Sequence, residues 1–317
     1  MPALIDWKAP EVELTLNLLL KDRSTGKNII FATDAYDGID FTTPITKKLL
    51  LDGAVDIRPR VEKTIEEQSL RTRKRAEVFT PSWLCNKMNN HCDTEWFGRV
   101  DVFNMEQEQQ WQRAKEKISF PEGKSWQDYV RSTRLEITCG EAPYLVSRYD
   151  TVTGEKISVE DRIGILDRKL RIVSENTENR KTWTRWTYRA FESVYGYEYQ
   201  GDNLLIARIN LLETYCDYVR HQWHDEPTTA ELKRIATIIS WNLWQMDGIH
   251  GIVPTPAMAR MQEESVPHQM NMFDLFGMAD GPDKKEPMDE TEVVDCQIYD
   301  WQEDKVVTYK SIRESEK

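Results

Sequence analysis

Between residues 12 and 18 apolar and polar side chains alternate: Val12, Leu14, Leu16 and Leu18 are separated by Glu13, Thr15 and Asn17. Read at a period of two, this predicts a half-buried strand. Asp22 to Asn28 supplies turn residues, and Asn28-Ile29-Ile30-Phe31-Ala32 is the expected partner strand. A polar helix is predicted from about Val61 to Arg75, ending on the basic run Arg71-Thr72-Arg73-Lys74-Arg75. Another helix is expected to start at Pro81, because proline suits the first helical turn, with Leu84 and Met88 on one face. Glu106 to Lys117 reads as a polar surface helix.

Farther along, strand and helix signals take turns, the pattern of a parallel sheet with crossover helices. Arg134 to Thr138 is a short strand candidate, ending at Cys139-Gly140. Helices are expected over Val159–Val173 and over Thr182–Val194, the second rich in tryptophan. Tyr195 to Tyr199 is the next strand. Past Gly201-Asp202-Asn203 a helix runs from Leu204 to about His221, with Leu205, Ile209 and Leu212 on its apolar side. Thr228 and Glu231 have capping-box spacing and open a further helix through Ile235, Ile238 and Ile239. Residues 258–292 are rich in Met, Pro, Asp and Glu without periodicity and read as a flexible acidic linker or insertion. A final hairpin is expected from Val293–Trp301 and Lys305–Ser311.

Composition narrows the setting more than the chemistry. No stretch approaches the roughly 20 apolar residues of a membrane helix. The start Met1-Pro2-Ala3-Leu4-Ile5-Asp6 lacks the features of a secretory signal, so a cytoplasmic location is expected. The five cysteines include no C-x-x-C pair, which points to free thiols rather than zinc or redox chemistry, and no metal is expected. A formal net charge of −12 argues against binding nucleic acid by bulk electrostatics alone, leaving room for a local basic groove.

Four pieces carry candidate chemistry: Phe79-Thr80-Pro81, Leu135 to Leu145, Tyr195 to Glu198, and Trp244 to Gly248. The second is a strand entering a glycine turn, where small residues let a ligand approach the backbone. The third is a strand ending in a carboxylate, suited to a ribose diol. The fourth offers Asp247 to a donor such as an adenine amino group. Together they describe a nucleoside cofactor lying across the carboxyl edge of a parallel sheet. Each piece also has a purely structural reading. Phe-Thr-Pro is a common helix entry, Cys139-Gly140 a buried turn, Glu198 a strand end and Asp247-Gly248 a turn pair.

In this order the pieces resemble the gamma-class adenine amino-methyltransferases of restriction-modification systems, over about Glu77 to Gly248. Phe79-Thr80-Pro81 resembles the family's F-T-P element. Leu135 to Leu145 is similar to its first motif, an acid, a proline and A-C-G-x-G. Tyr195 to Glu198 with Ala207-Arg208-Ile209-Asn210-Leu211 resembles the second, and Asp247 the acid of the third. The resemblance implies an α/β fold with a mostly parallel methyltransferase-type sheet and a small β-containing N-terminal region, and S-adenosylmethionine as cofactor. Thr80 and the Cys139-Gly140 turn would hold the methionine part, Glu198 the ribose and Asp247 the adenine. Phe79, Pro81, Glu136, Thr138 and Ala142 complete the implied cofactor set. The implied regions are 1–75 (N-terminal), 76–257 (cofactor domain), 258–292 (linker) and 293–317 (hairpin).

Two departures shape the expected function. The first motif lacks the proline and carries Ala142 for the last glycine, and Glu141 adds a negative charge to the loop. The family's fourth motif, Asn or Asp before Pro-Pro and an aromatic residue, is absent. That motif accepts hydrogen bonds from the flipped target amine and stacks on the base. The expectation is therefore the cofactor-binding part of a DNA adenine methyltransferase, truncated or split, with no catalytic residue assigned and the acceptor motif either on a second polypeptide or missing from this gene product. The alternative is a non-catalytic DNA-binding or assembly subunit with a degenerate methyltransferase fold. DNA is the expected partner. The basic run Arg71–Arg75 reads as a solvated helix face, or alternatively as a contact for DNA phosphates. Gln269-Met270-Asn271-Met272-Phe273 resembles the Gln-Leu-x-Leu-Phe peptide that docks bacterial proteins on the replication sliding clamp; the bland alternative is a patch folding back on the domain.

Overall fold

A computed structural model describes residues 3–75, 80–254 and 293–315. The expected linker, the clamp-like peptide Gln269–Phe273 and Phe79 lie outside the described residues.

The first segment is a helix, α1 (Pro10–Leu19), and not a strand. Its alternation also satisfies helical spacing. Val12, Thr15, Leu16 and Leu19 are buried, while Leu14 is 43% exposed. Pro10 in the first turn and Glu11 and Glu13 at the positive helix end favour the helix. Among the described residues Asn28–Ala32 joins no sheet, and its backbone bonds instead to the segment Phe41–Ile45. Isolated antiparallel bridges join Lys21 to Asn28 and Ile30 to Pro44, and the expected β-containing N-terminal region is an extended segment with Ile29, Phe31 and Ala32 buried.

Helices α2 (Lys47–Leu51), α3 (Ile65–Arg75) and α4 (Ser82–Phe97) follow. The buried face of α4 is polar, with Ser82, Asn86, Asn89 and Asp93, and Met88 points outward. Those polar groups are buried because they meet partners. Asn89 donates to the carbonyls of Tyr144 and Ile163 at 3.0 Å each, and Asp93 pairs with the buried Arg168. The stretch expected as a surface helix is an antiparallel hairpin, β1 (Asn104–Gln107) and β2 (Gln110–Arg113). It turns at Glu108 with φ 52°, and exposure alternates along β2, so the polar run sits on a ribbon of period two.

After α5 (Trp126–Arg131), strand β3 (Arg134–Ile137) opens the central sheet. The helix expected over Val159–Val173 breaks into a 3₁₀ turn (Val159–Asp161) and α6 (Ile165–Asn176). Gly164 occupies the break, where a Cβ would overlap the Leu145 carbonyl. The remaining elements follow the expected order: α7 (Arg180–Glu192), β4 (Val194–Glu198), α8 (Gly201–Trp223), α9 (Thr229–Asn242) and β5 (Leu243–Gln245). Thr228 and Glu231 form the capping box of α9. The terminal hairpin forms as β6 (Gln297–Asp300) and β7 (Lys305–Thr308), and α10 (Tyr309–Ser315) follows it.

The sheet order is β3-β4-β5, all parallel, so the protein is α/β. Leu135 lies beside Tyr195, Gly196 beside Leu243 and Glu198 beside Gln245. Helices α8 and α9 join a core running from Ile5 to Leu243. A smaller apolar cluster combines Tyr197, Trp244 and Met246 with Val253, Cys296 and Ile298, seating the terminal hairpin against the sheet.

Arg208 ties these parts together. Its guanidinium is fully buried in α8 and donates to the Leu243 carbonyl from Nε at 3.0 Å and from Nη2 at 2.6 Å. Its Nη1 donates to the carbonyls of Lys21, at 3.0 Å, and Leu19. One side chain thus satisfies the end of α1 and the first residue of β5. Each buried carbonyl left without a donor costs about 1–3 kcal/mol. Arg208→Ala should therefore lower the urea-unfolding free energy by about 3 kcal/mol or more. A loss under about 0.5 kcal/mol, the size of an ordinary surface substitution, would show that these carbonyls find other donors.

Candidate cofactor site at the carboxyl edge of the sheet

Because the three strands are parallel, their carboxyl ends meet at one edge. Thr138 to Gly140 follow β3, Tyr199 and Gln200 follow β4, and Met246 to Gly248 follow β5. Glu198 sits at the centre of this edge, buried. Its Oε2 accepts from the Gly140 N–H at 3.0 Å, and its Oε1 from the N–H groups of Tyr199 at 2.9 Å and Gln200 at 3.1 Å. Burial nevertheless dominates and pushes the carboxyl up to about 7.

The loop after β3 is built by left-handed backbone. Gly140 has φ 51° and Ala142 has φ 64°. Ala142 therefore holds a conformation that glycine adopts without a steric penalty, at the position where the resembled motif has its last glycine. Glu136 fastens the same loop from within β3, accepting from the N–H groups of Tyr144 at 3.3 Å and Leu145 at 3.2 Å. Burial drives its carboxyl well above the usual range. Glu141 turns away from the loop's mouth. Its Oε1 accepts from the Arg60 N–H at 2.7 Å and its Oε2 from the Tyr149 hydroxyl at 2.9 Å. Its charge is thus absorbed in the protein body. Cys139 is buried, with its thiol pushed well up by burial, and its Sγ lies 3.2 Å from where a Cβ on Gly196 would sit.

Thr80 and Pro81 reach this loop from another direction. Pro81 caps α4, and the Thr80 carbonyl accepts from the Thr151 hydroxyl at 2.9 Å. Thr80 also hydrogen-bonds the side chain of Tyr144, so it is anchored to the loop after β3. Asp247 is committed to its own turn. Its Oδ1 accepts from the N–H groups of Ile249 at 2.8 Å and His250 at 3.3 Å, and its Oδ2 lies 2.7 Å from His250 Nδ1. The adjacent Gly248 leaves no room for a side chain, since a Cβ would stand 2.5 Å from the Tyr197 hydroxyl. Thr138 is exposed at the end of β3.

Residues outside the expected set complete the edge. Asp202, fully buried in the first turn of α8, lies 2.8 Å from Arg71 and 3.9 Å from Lys63, and accepts from the Tyr36 hydroxyl at 2.8 Å. Burial raises its carboxyl, but Arg71 and Lys63 outweigh this and hold it below the usual range. Arg71 is therefore not on a solvated helix face, nor open to phosphates; its charge is needed by Asp202. A sequence signal was available in the acid at the amino end of a helix, following Gln200-Gly201. Gln245 joins in. Its Oε1 accepts from the Ile30 N–H at 3.0 Å, and its Nε2 donates to the carbonyls of Ile30 and Tyr199 at 2.9 Å each. Among the described residues no cluster of His, Cys, Asp or Glu suits a metal, and no helix is long and apolar enough to cross a membrane.

No family model, curated protein or solved structure matches this chain.

The raised carboxyl of Glu198 has a thermodynamic consequence. Its contribution to stability is fully present below the usual value of 4.5 and is lost as pH rises through about 7. Asp167, raised to about 6 mainly by burial, loses its contribution lower on the scale. Melting temperatures should fall between about pH 4.5 and pH 7 in the wild type and fall less in Glu198→Ala. An unchanged slope in the variant would assign the decline to other groups.

Proposed function

We propose that this chain is the methyl-donor-binding part of an S-adenosylmethionine-dependent DNA adenine methyltransferase, with the target-base residues supplied by a second polypeptide. The observation that carries the reading is Glu198. It is a buried carboxylate at the carboxyl edge of a parallel sheet, bonded to the glycine turn of the preceding strand. Its oxygens accept from three backbone N–H groups, and a carboxylate has about four lone-pair sites, so the set is not full. A ribose hydroxyl donates to such a group in its ionised form. The loop beside it turns through left-handed backbone at Gly140 and Ala142. The sulfonium of the cofactor is intrinsically a good leaving group, so donor binding asks for orientation rather than for a base or metal.

A second reading, a non-catalytic assembly or DNA-binding subunit, is favoured by Asp247. Its carboxylate already serves two N–H groups and His250, which is the work of a turn residue. Isothermal titration with S-adenosylmethionine separates the readings. The cofactor reading expects a Kd on the order of 10 µM, about −7 kcal/mol. Glu198→Ala should weaken it about tenfold or more, the size of a lost hydrogen bond to a charged group. Affinity should strengthen as pH rises through about 7, because the carboxylate form is the acceptor. No heat of binding from a protein with an intact unfolding transition would leave the subunit reading.

A further inference from the structure

Parallel strands are normally covered on both sides and both faces, because their crossover connections place chain on either side. Strand β3 departs from this. It stands at the end of the order β3-β4-β5, and among the described residues no strand pairs with its outer side. The Arg134 N–H donates to the Ser193 carbonyl at 3.0 Å, which sets the even-numbered residues of β3 toward β4. The N–H groups of Leu135 and Ile137 therefore face outward. Both side chains are exposed as well, Leu135 at 43% and Ile137 at 61%. An edge of this kind is a template for pairing with another backbone.

Beside the edge lies a cavity of about 760 Å³ between the sheet and the terminal hairpin. Leu135, Tyr195, Trp244, Ile298, Tyr309 and Ile312 give it apolar walls. Arg131 lines the cavity at the amino end of β3, and Arg134 is the first residue of the strand; neither forms an ion pair among the described residues. Arg189, also at the cavity, shares Glu192 with Arg234, at 2.8 Å each, and Asp300 lines the cavity on the hairpin side.

We propose that the outer edge of β3 is completed by an extended segment of another polypeptide, running parallel to β3, apolar along its length and beginning with an acidic residue. The direction follows from the all-parallel sheet. The apolar character follows from Leu135, Ile137 and the cavity wall. The acid follows from charge complementarity, since the amino end of a parallel segment lies beside Arg131 and Arg134. A second copy of this chain is the poorer occupant, because each copy carries a net charge of −12 and the two would repel. The inference goes beyond the cofactor reading and does not need it; cofactor titration and strand addition report on separate parts of the sheet.

The test is hydrogen exchange on the whole chain with a synthetic probe, the capped peptide Asp-Val-Thr-Val-Ile-Thr-Val. Main-chain bonds supply most of the affinity in strand addition, so the probe need not match a natural partner. At about 1 mM peptide, exchange of the Leu135 and Ile137 amides should slow about tenfold. The same peptide with proline at alternate positions should have no effect. Ile137→Pro removes one outward N–H and should abolish the protection. Ile137→Lys, which keeps the N–H and suits an exposed edge, should weaken it while keeping the native unfolding transition. Absence of protection with the probe overturns the proposal. So does protection that appears without peptide and grows with protein concentration, which would make the occupant a second copy.

Discussion

Arg208 forms no ion pair among the described residues; its buried guanidinium is held by hydrogen bonds to the carbonyls of Leu19, Lys21 and Leu243, with buried Asp22 nearby favouring its charge. Desolvation lowers its affinity for its proton to about 10, yet it stays charged at neutral pH. The cost of burying that charge means the three carbonyls cannot drift apart independently. They belong to the end of α1, the following loop and the start of β5. The position of β5 relative to the N-terminal segment is therefore set by one side chain of α8. Gln245, two residues on, repeats the link at the other end of the strand by bonding both backbone groups of Ile30. The N-terminal segment is in this way part of the sheet's carboxyl edge.

That edge holds two buried carboxylates four residues apart with opposite titration behaviour. Glu198 is raised, because the backbone N–H groups around it stabilise its charge less than burial penalises it. Asp202 is lowered, because Arg71 and Lys63 outweigh the same penalty. Asp202 thus functions as a fixed negative charge and anchors α3 to α8. Glu198 is an acceptor whose charge depends on pH or on a donor arriving. The distinction fits the ligand role proposed for Glu198 and gives Asp202 a scaffolding role, although both lie at the same helix entry. Asp247 belongs with the scaffold, since its turn consumes its acceptors.

Legibility in the sequence followed how local the deciding physics was. The capping box at Thr228 and Glu231 is set by neighbours within a few residues; the strand at Tyr195 and the turn at Cys139-Gly140 carry local residue signals that their distant partners, β3, β5 and Glu198, do not overrule. Val12 to Leu18 is ambiguous in sequence because Val12, Leu14, Leu16 and Leu18 fit period two and Val12, Thr15, Leu16 and Leu19 fit a helical face. Pro10 and two early glutamates broke the tie. Glu106 to Lys117 failed in the opposite sense: with no apolar face on either period, only the turn at Glu108 distinguishes ribbon from helix. The burial of Arg71 is not legible locally, because its partner Asp202 is distant in sequence. A basic run looks solvated until a buried acid is found for one member. Glu141 looked like an obstacle for the same reason, and Tyr149 and the Arg60 amide remove it from the loop.

The sheet's two sides show why the carboxyl edge and the outer edge of β3 are separate questions. The groups that shape the carboxyl edge are tied within the chain: Glu136 to the loop it holds, Asp202 to two cations, and Glu198 to three amides with acceptor capacity left over. The edge is rigid in the sense that its polar groups are mutually committed. Among the described residues the outer side of β3 has no such commitments. Its outward amides and its exposed Leu135 and Ile137 are of the kinds that proteins usually cover, charge or bend away. The hairpin β6–β7 covers the face of the sheet through Trp244, Tyr197 and Ile298 but does not pair with β3. A side chain can cover a face, whereas a strand edge needs a backbone. Coverage by the hairpin therefore stabilises the sheet without answering the hydrogen-bonding demand of its first strand, and that demand is specific for extended polypeptide.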